Sequence, residues 1–170
     1  MNVSDAIRLK RAIRKFQDKP LPEDVVLAIL NAGRRSQSSK NTQAWQFIAI
    51  QDKKILQDLS KCGEWAGHIA GASLCVAILT PDPEGKFQIM FDAGQAAAFM
   101  QLAAWELGIG SVPASLYDFD LTRKILQYPS EWHLRIALSF GYPLDEEKLS
   151  APPKKGGRVK LEDVVHWEKW

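Results

Sequence analysis

Ser38-Ser39-Lys40-Asn41-Thr42-Gln43-Ala44-Trp45 crowds amide and hydroxyl side chains onto alternate positions just before an apolar run from Trp45 to Ile50. The pattern is that of a ligand loop feeding a core strand. Asn41 and Gln43 each carry a donor and an acceptor on one short group, so together they can read the edge of a planar heterocycle rich in imide and ring-nitrogen groups. A flavin is such a heterocycle. The same residues also suit a polar turn whose side chains bond their own backbone, and the stretch alone does not choose.

Outward from this loop, the chain alternates helix and strand signals. Ser4 and Asp5 can cap a helix through about Ala12, and Pro22-Glu23-Asp24 opens a second one with Val25, Val26, Ile29 and Leu30 as its apolar stripe. Asp52 caps a short amphipathic helix, and Leu74–Leu79 reads as a buried strand. Asp92 with Gln95 three positions later resembles a capping box for a long helix ending near Leu107-Gly108. From Ala93 to Trp105 that helix is apolar nearly all the way round, which calls for burial on every side and suggests a second subunit as cover. Ser111–Tyr117 is extended, Asp120 caps a helix through about Gln127, and Leu134–Phe140 is a third strand. After Gly141 the prolines and glycines exclude one regular element, yet Leu161, Val164, Val165, Trp167 and Trp170 need cover. That segment, about 150–170, reads as an arm docking on its own domain or a partner.

Composition narrows the function classes. With 170 residues the chain fits one domain, and 22 Lys plus Arg against 20 Asp plus Glu leave no broad field for nucleic acid or anionic lipid. Cys62 and Cys75 form no CxxC pair and three scattered histidines give no metal spacing, so no metal is expected. No apolar run reaches membrane-spanning length and no leader-like start is present; the expected location is cytoplasmic. No nucleophile, acid and base come together, and His68 reads as a helix-surface or packing histidine. A redox cofactor, however, carries its own reaction. Two basic clusters could grip a phosphate: Lys10, Arg11 and Arg14, of which Lys10 and Arg14 share a helical face by spacing, and Lys154, Lys155, Arg158 and Lys160. Pro113-Ala114-Ser115 is extended and free of bulky polar groups, so its amides could approach a flat ring, although a plain core strand fits it equally.

The ordered set Lys10-Arg11-Ala12-Ile13-Arg14-Lys15-Phe16, Ser38 to Trp45, the Asp92-Ala93-Gly94 helix and Leu107 to Ser111 resembles the nitroreductase family of FMN-dependent oxidoreductases, over nearly the whole chain. The resemblance implies an α+β fold on a central mixed sheet flanked by helices, as an intertwined homodimer exchanging C-terminal arms. It implies ping-pong hydride transfer from NADH or NADPH through the flavin N5 to an electron-poor acceptor such as a nitroaromatic or quinone. Lys10, Arg11, Arg14 and Arg158 would hold the phosphate and ribityl side. Ser38, Ser39, Asn41 and Gln43 would line the ring and ribityl group, from both subunits. Pro113, Ala114 and Ser115 would pass along the isoalloxazine, with the Ser115 backbone N–H directed to N5. Three positions depart from the family pattern: Ala12 replaces a usual Ser, and Gln37 and Ala44 replace usual prolines, which removes a hydroxyl and loosens the loop. Reductive dehalogenation, oxygen-dependent flavin chemistry and a flavin-holding scaffold are the competing roles.

Overall fold

A computed structural model describes residues 2–151 and 157–170. Lys154 and Lys155, placed in a basic cluster by the sequence, lie outside the described residues. Four strands, β1 (Gln46–Ile50), β2 (Leu74–Thr80), β3 (Gly110–Ser115) and β4 (His133–Gly141), form one sheet in the order β1-β2-β4-β3. All three pairings are antiparallel. The parallel contribution expected of a mixed sheet is confined to a bridge between Ala12 and Ser111 on the outer side of β3.

The helices are α1 (Val3–Leu9), α2 (Glu23–Arg34), α3 (Lys53–Leu59), α4 (Phe87–Glu106) and α5 (Phe119–Leu126). Side chains alternate across each strand, so β2 and β4 send Val76, Ile78, Leu138 and Phe140 to one face and Cys75, Ala77, Leu134 and Ala137 to the other. The first face packs on α2 and α4 through Ile29, Ala96 and Met100; the second packs on Leu56, Leu59 and Ile69. β2, buried at every position, is therefore the centre of a three-layer stack.

Several ends differ from the sequence expectation for identifiable reasons. The N-cap of α1 is Asn2, whose Oδ1 accepts from Asp5 N–H at 2.8 Å, and the helix stops at Leu9 instead of Ala12. It stops because residues 12–16 bond elsewhere: Ile13 N–H donates to Ser111 O, Gln17 N–H to Tyr142 O, and Leu144 N–H to Lys15 O. The chain can lie this close because Gly110 and Gly141 have no side chain; a Cβ there would come within 2.7 Å of Ile13 and 2.9 Å of Phe16. α4 starts at Phe87, five residues before Asp92, so Asp92 and Gln95 are no capping box and Asp92 is buried within the helix. α5 is capped by Asp118, whose Oδ1 accepts from Leu121 N–H, and not by Asp120. Asp52 caps α3 as expected, accepting from Ile55 N–H at 2.9 Å.

Candidate functional site

β3 is an edge strand, and its hydrogen-bond register decides what that edge offers. Leu116 N–H donates to Arg135 O across the β4 pair, while Ser111 O accepts from Ile13 on the outer side. Groups alternate along an antiparallel strand, so the N–H and C=O of residues 111, 113 and 115 point away from β4. Pro113 is tolerated there because its missing N–H faces no partner strand. The Ser115 N–H is thus aimed out of the sheet at an open edge, where Pro113 is exposed and Ser115 half-buried. Gly63 lies on that same outer side and covers part of it: a Cβ on it would meet Ser115 O at 2.3 Å.

The cations line the same edge. Because residues 10–14 leave the helix, Lys10 and Arg14 do not share a helical face. The run is instead brought to β3 by the single bridge of Ala12 to Ser111, with Ala12 and Arg14 exposed and Lys10 half-buried. Burial, and secondarily the Arg158 guanidinium, holds the Lys10 ammonium below its ordinary lysine value, which brings Arg158 from the arm into the field of Lys10. The missing Ser hydroxyl at Ala12 leaves a methyl between two cations.

Arg11 is held by the chain that follows β4: its guanidinium donates to Lys148 O and, at 2.6 Å, to Ala151 O, while its Nε is buried with no partner among the described residues. Arg11 thus ties down the start of the arm, at a cavity of about 530 Å³ that it borders together with Ala12, Arg14, Pro143 and Lys148.

His68, expected as a helix-surface or packing histidine, sits in a 3-10 turn (Gly67–Gly71) beneath this edge. Its Nδ1 lies 2.9 Å from the buried Ser139 Oγ. Burial first, then the neighbouring Arg14, pushes its pKa below the ordinary 6.5, against a smaller opposing pull from the Pro113 backbone. As pH falls below about 6.5 the unfolded chain takes up the proton before the folded one, so stability declines until the folded value is passed. A His68→Gln variant, which keeps a hydrogen-bonding group but cannot titrate, is expected to show a shallower fall in melting temperature between about pH 7 and 5. Equal slopes in the two proteins would exclude His68 as the source.

The amide loop lies at the other end of the strand order, leading into β1. Ser38 Oγ accepts from Gln43 N–H at 2.9 Å, so Ser38 serves the turn itself. Asn41 and Gln43 do not: their side chains are exposed and bond only each other among the described residues, Gln43 Nε2 to Asn41 Oδ1 at 3.2 Å. Lys40, Asn41 and Gln43 all hold positive φ, at 51°, 55° and 48°. Left-handed backbone costs roughly 1–2 kcal/mol per non-glycine residue, less for Asn, so this loop keeps a disfavoured shape that exposes two amide edges. Ser39 N–H is held by Asp92 Oδ2 at 2.8 Å. One chain does not unite the two sets: β1 and β3 are the sheet's opposite edges, three strand spacings or roughly 14 Å apart.

Among the described residues no group of three His, Cys, Asp or Glu could hold a metal ion, and no helix is long and apolar enough to cross a membrane. Cys62 is buried, and burial raises its thiol above the ordinary value; Cys75 is pushed up to about 12. Neither is a nucleophile at neutral pH.

Residues 7–142 match the model of the nitroreductase family. The chain belongs to that family. A similar relative is an NADPH-dependent oxidoreductase of Staphylococcus aureus strain USA300, 25% identical over 190 residues that cover 99% of this chain and 74% of the relative. An FMN-dependent nitroreductase from Clostridium difficile R20291 has a solved structure that superposes with a TM-score of 0.85 at 26% identity, covering 99% of this chain and all of the other. Nitroreductase A of Vibrio parahaemolyticus shares the fold, with a TM-score of 0.86 at 21% identity over the whole chain and 77% of that protein.

Asp92 and His68 carry interactions that sequence reasoning assigned to a cap and to packing. Asp92 had a visible signal, a carboxylate followed by the largely apolar run from Ala93 to Trp105. His68 had none, because its partner Ser139 lies 71 residues away.

Proposed function

We propose that this nitroreductase-family protein is an FMN-dependent NAD(P)H oxidoreductase, acting as a homodimer on an electron-poor small molecule such as a nitroaromatic or quinone. The observation that carries the reading is the outward-facing Ser115 N–H on the β3 edge, to which the Ala12–Ser111 bridge brings the basic run from Lys10 to Arg14. A free backbone donor beside a cluster of cations suits a flat, hydrogen-bond-accepting ring joined to a phosphate. The residues present fit FMN: Lys10, Arg14 and Arg158 would hold the phosphate, and Pro113, Ala114 and Ser115 would lie along the ring. When bound, FMN would supply two-electron chemistry between NADH or NADPH and the acceptor, in ping-pong order with one binding position serving both. The protein's part is to orient and to polarise: the Ser115 N–H would favour negative charge at the ring atom it faces. No side-chain acid or base is assigned to the reaction.

The homodimer follows from the same geometry. Asn41 and Gln43 are too far from the β3 edge of their own chain to share its ligand, so a second copy would bring its loop to that edge. Uncovered apolar side chains support this: Phe87, Phe91 and Phe99 on α4 and Trp167 and Trp170 in the arm are all exposed.

Incubation with FMN, desalting and an absorption spectrum, then NADH or NADPH without oxygen, tests the proposal. Flavin should be retained and should bleach with at least one nicotinamide. Retention without bleaching would favour a flavin-holding scaffold, and no retention would remove the cofactor assignment.

A further inference from the structure

The loop that displays Asn41 and Gln43 has lost the prolines at positions 37 and 44 expected from the family pattern, yet it holds three consecutive-to-near residues in left-handed backbone. Something outside the loop has to hold it. The contacts that do so form a chain on α4. Gln37 Nε2 donates to Gln95 Oε1 at 2.8 Å; Gln95 Nε2 lies 3.5 Å from Asp92 Oδ1; and Asp92 Oδ2 accepts from Ser39 N–H at 2.8 Å. Asp92 and Gln95 are one helical turn apart and face the same way, so two consecutive grips on the loop come from one rigid helix.

Asp92 is the unusual member. It is 4% exposed, and none of the salt bridges among the described residues includes it. An ionised carboxylate taken out of water without a cation is costly unless donors reach it. Here the donors are a loop amide and a glutamine, and one of them belongs to the element that presents the ligand-reading side chains.

We infer that Asp92, with Gln95 and Gln37, is a positioning device that clamps the Ser38–Gln43 loop to α4, and so sets where Asn41 and Gln43 meet the flavin. The second half of this statement rests on the proposed FMN site; the first does not. The clamp also makes chemical sense of Gln37. A residue with two donors and an acceptor replaces rigidity of the backbone by a side-chain tether, and the helix end of that tether is the Gln95 amide.

Two readouts test it. Amide hydrogen exchange of the 36–45 segment, without FMN, reads the clamp directly: Asp92→Ala should speed exchange at Ser39 by at least tenfold. Asp92→Asn, which keeps an acceptor oxygen, should restore most of the protection. Gln95→Ala, a milder change on a half-buried residue, should speed exchange a few-fold with little change in melting temperature, and serves if Asp92→Ala does not fold. FMN titration is the second readout, with affinity expected to fall at least tenfold in Asp92→Ala and to recover in Asp92→Asn. Unchanged exchange in both Asp92→Ala and Gln95→Ala would overturn the clamp. Faster exchange with unchanged FMN affinity would overturn its role in ligand positioning. If the unmutated protein binds no FMN, the proposed function fails, while exchange at Ser39 still upholds or overturns the clamp.

Discussion

A chain ending before Gly157 is expected to elute as a monomer and to lose FMN on desalting, while melting at nearly the temperature of the intact protein. The three outcomes separate because of where the arm's apolar residues are. Leu161, Val164, Trp167 and Trp170 are 72%, 57%, 80% and 101% exposed on a single chain, and none belongs to either core cluster. Removing them costs the isolated fold little. Burying four such side chains on a partner would contribute roughly 1.5–3 kcal/mol each, enough together to hold a dimer against the entropy of association at micromolar concentration. Flavin loss has a separate cause, since the truncation removes Arg158, and a monomer cannot bring a second amide loop to the β3 edge. Gel filtration, flavin absorbance and thermal melting distinguish these effects. A truncated chain that remains a flavin-loaded dimer would show that α4, with Phe91 and Phe99, suffices as the interface. A truncated chain that unfolds would mean that the arm completes the core of its own domain.

How much of this was legible in the sequence depends on the range of each contact. β2 is an apolar run from Leu74 to Leu79, and its burial needs no knowledge of the partner. Asp52 caps the helix that starts one residue later. The run from Lys10 to Arg14 is different. Nothing local tells a helix end from an edge-strand segment, and the decision lies with Ser111 and with two glycines about a hundred residues on, whose missing side chains let Ile13 and Phe16 approach. Asp92 and Gln95 spell a capping box, but the apolar residues Phe87, Ile89 and Phe91 before them extend the helix upstream, and burial gives the carboxylate another task. Arg11 makes contacts no local signal could show: its guanidinium reaches the carbonyls of Lys148 and Ala151 at the arm's root, more than 130 residues away.

Riboflavin, which lacks only the phosphate, is expected to bind at least about a hundredfold more weakly than FMN, and the difference should shrink as salt is added. A charge-assisted hydrogen bond contributes roughly 1.5–3 kcal/mol, so two from Lys10, Arg14 and Arg158 amount to a factor of about a hundred or more; the exposure of Arg14 and Arg158 argues for the lower end. The depressed pKa of Lys10 adds a signed test. In the free protein, burial and Arg158 disfavour the ammonium, so above the folded value the native lysine has shed its proton while the unfolded one keeps it until about 10.5. The unfolded state then binds more protons, and stability rises with pH across that window. A phosphate beside Lys10 reverses the balance by favouring the ammonium, so FMN binding should take up protons at alkaline pH and weaken there, while riboflavin binding should not. Arg158→Ala should lower FMN affinity and leave riboflavin affinity within a factor of about two, since only the phosphate would meet that guanidinium. Equal affinities for the two flavins, measured by fluorescence titration at low salt, would move the anion site away from the β3 edge and leave Lys10 and Arg158 as a solvated basic pair.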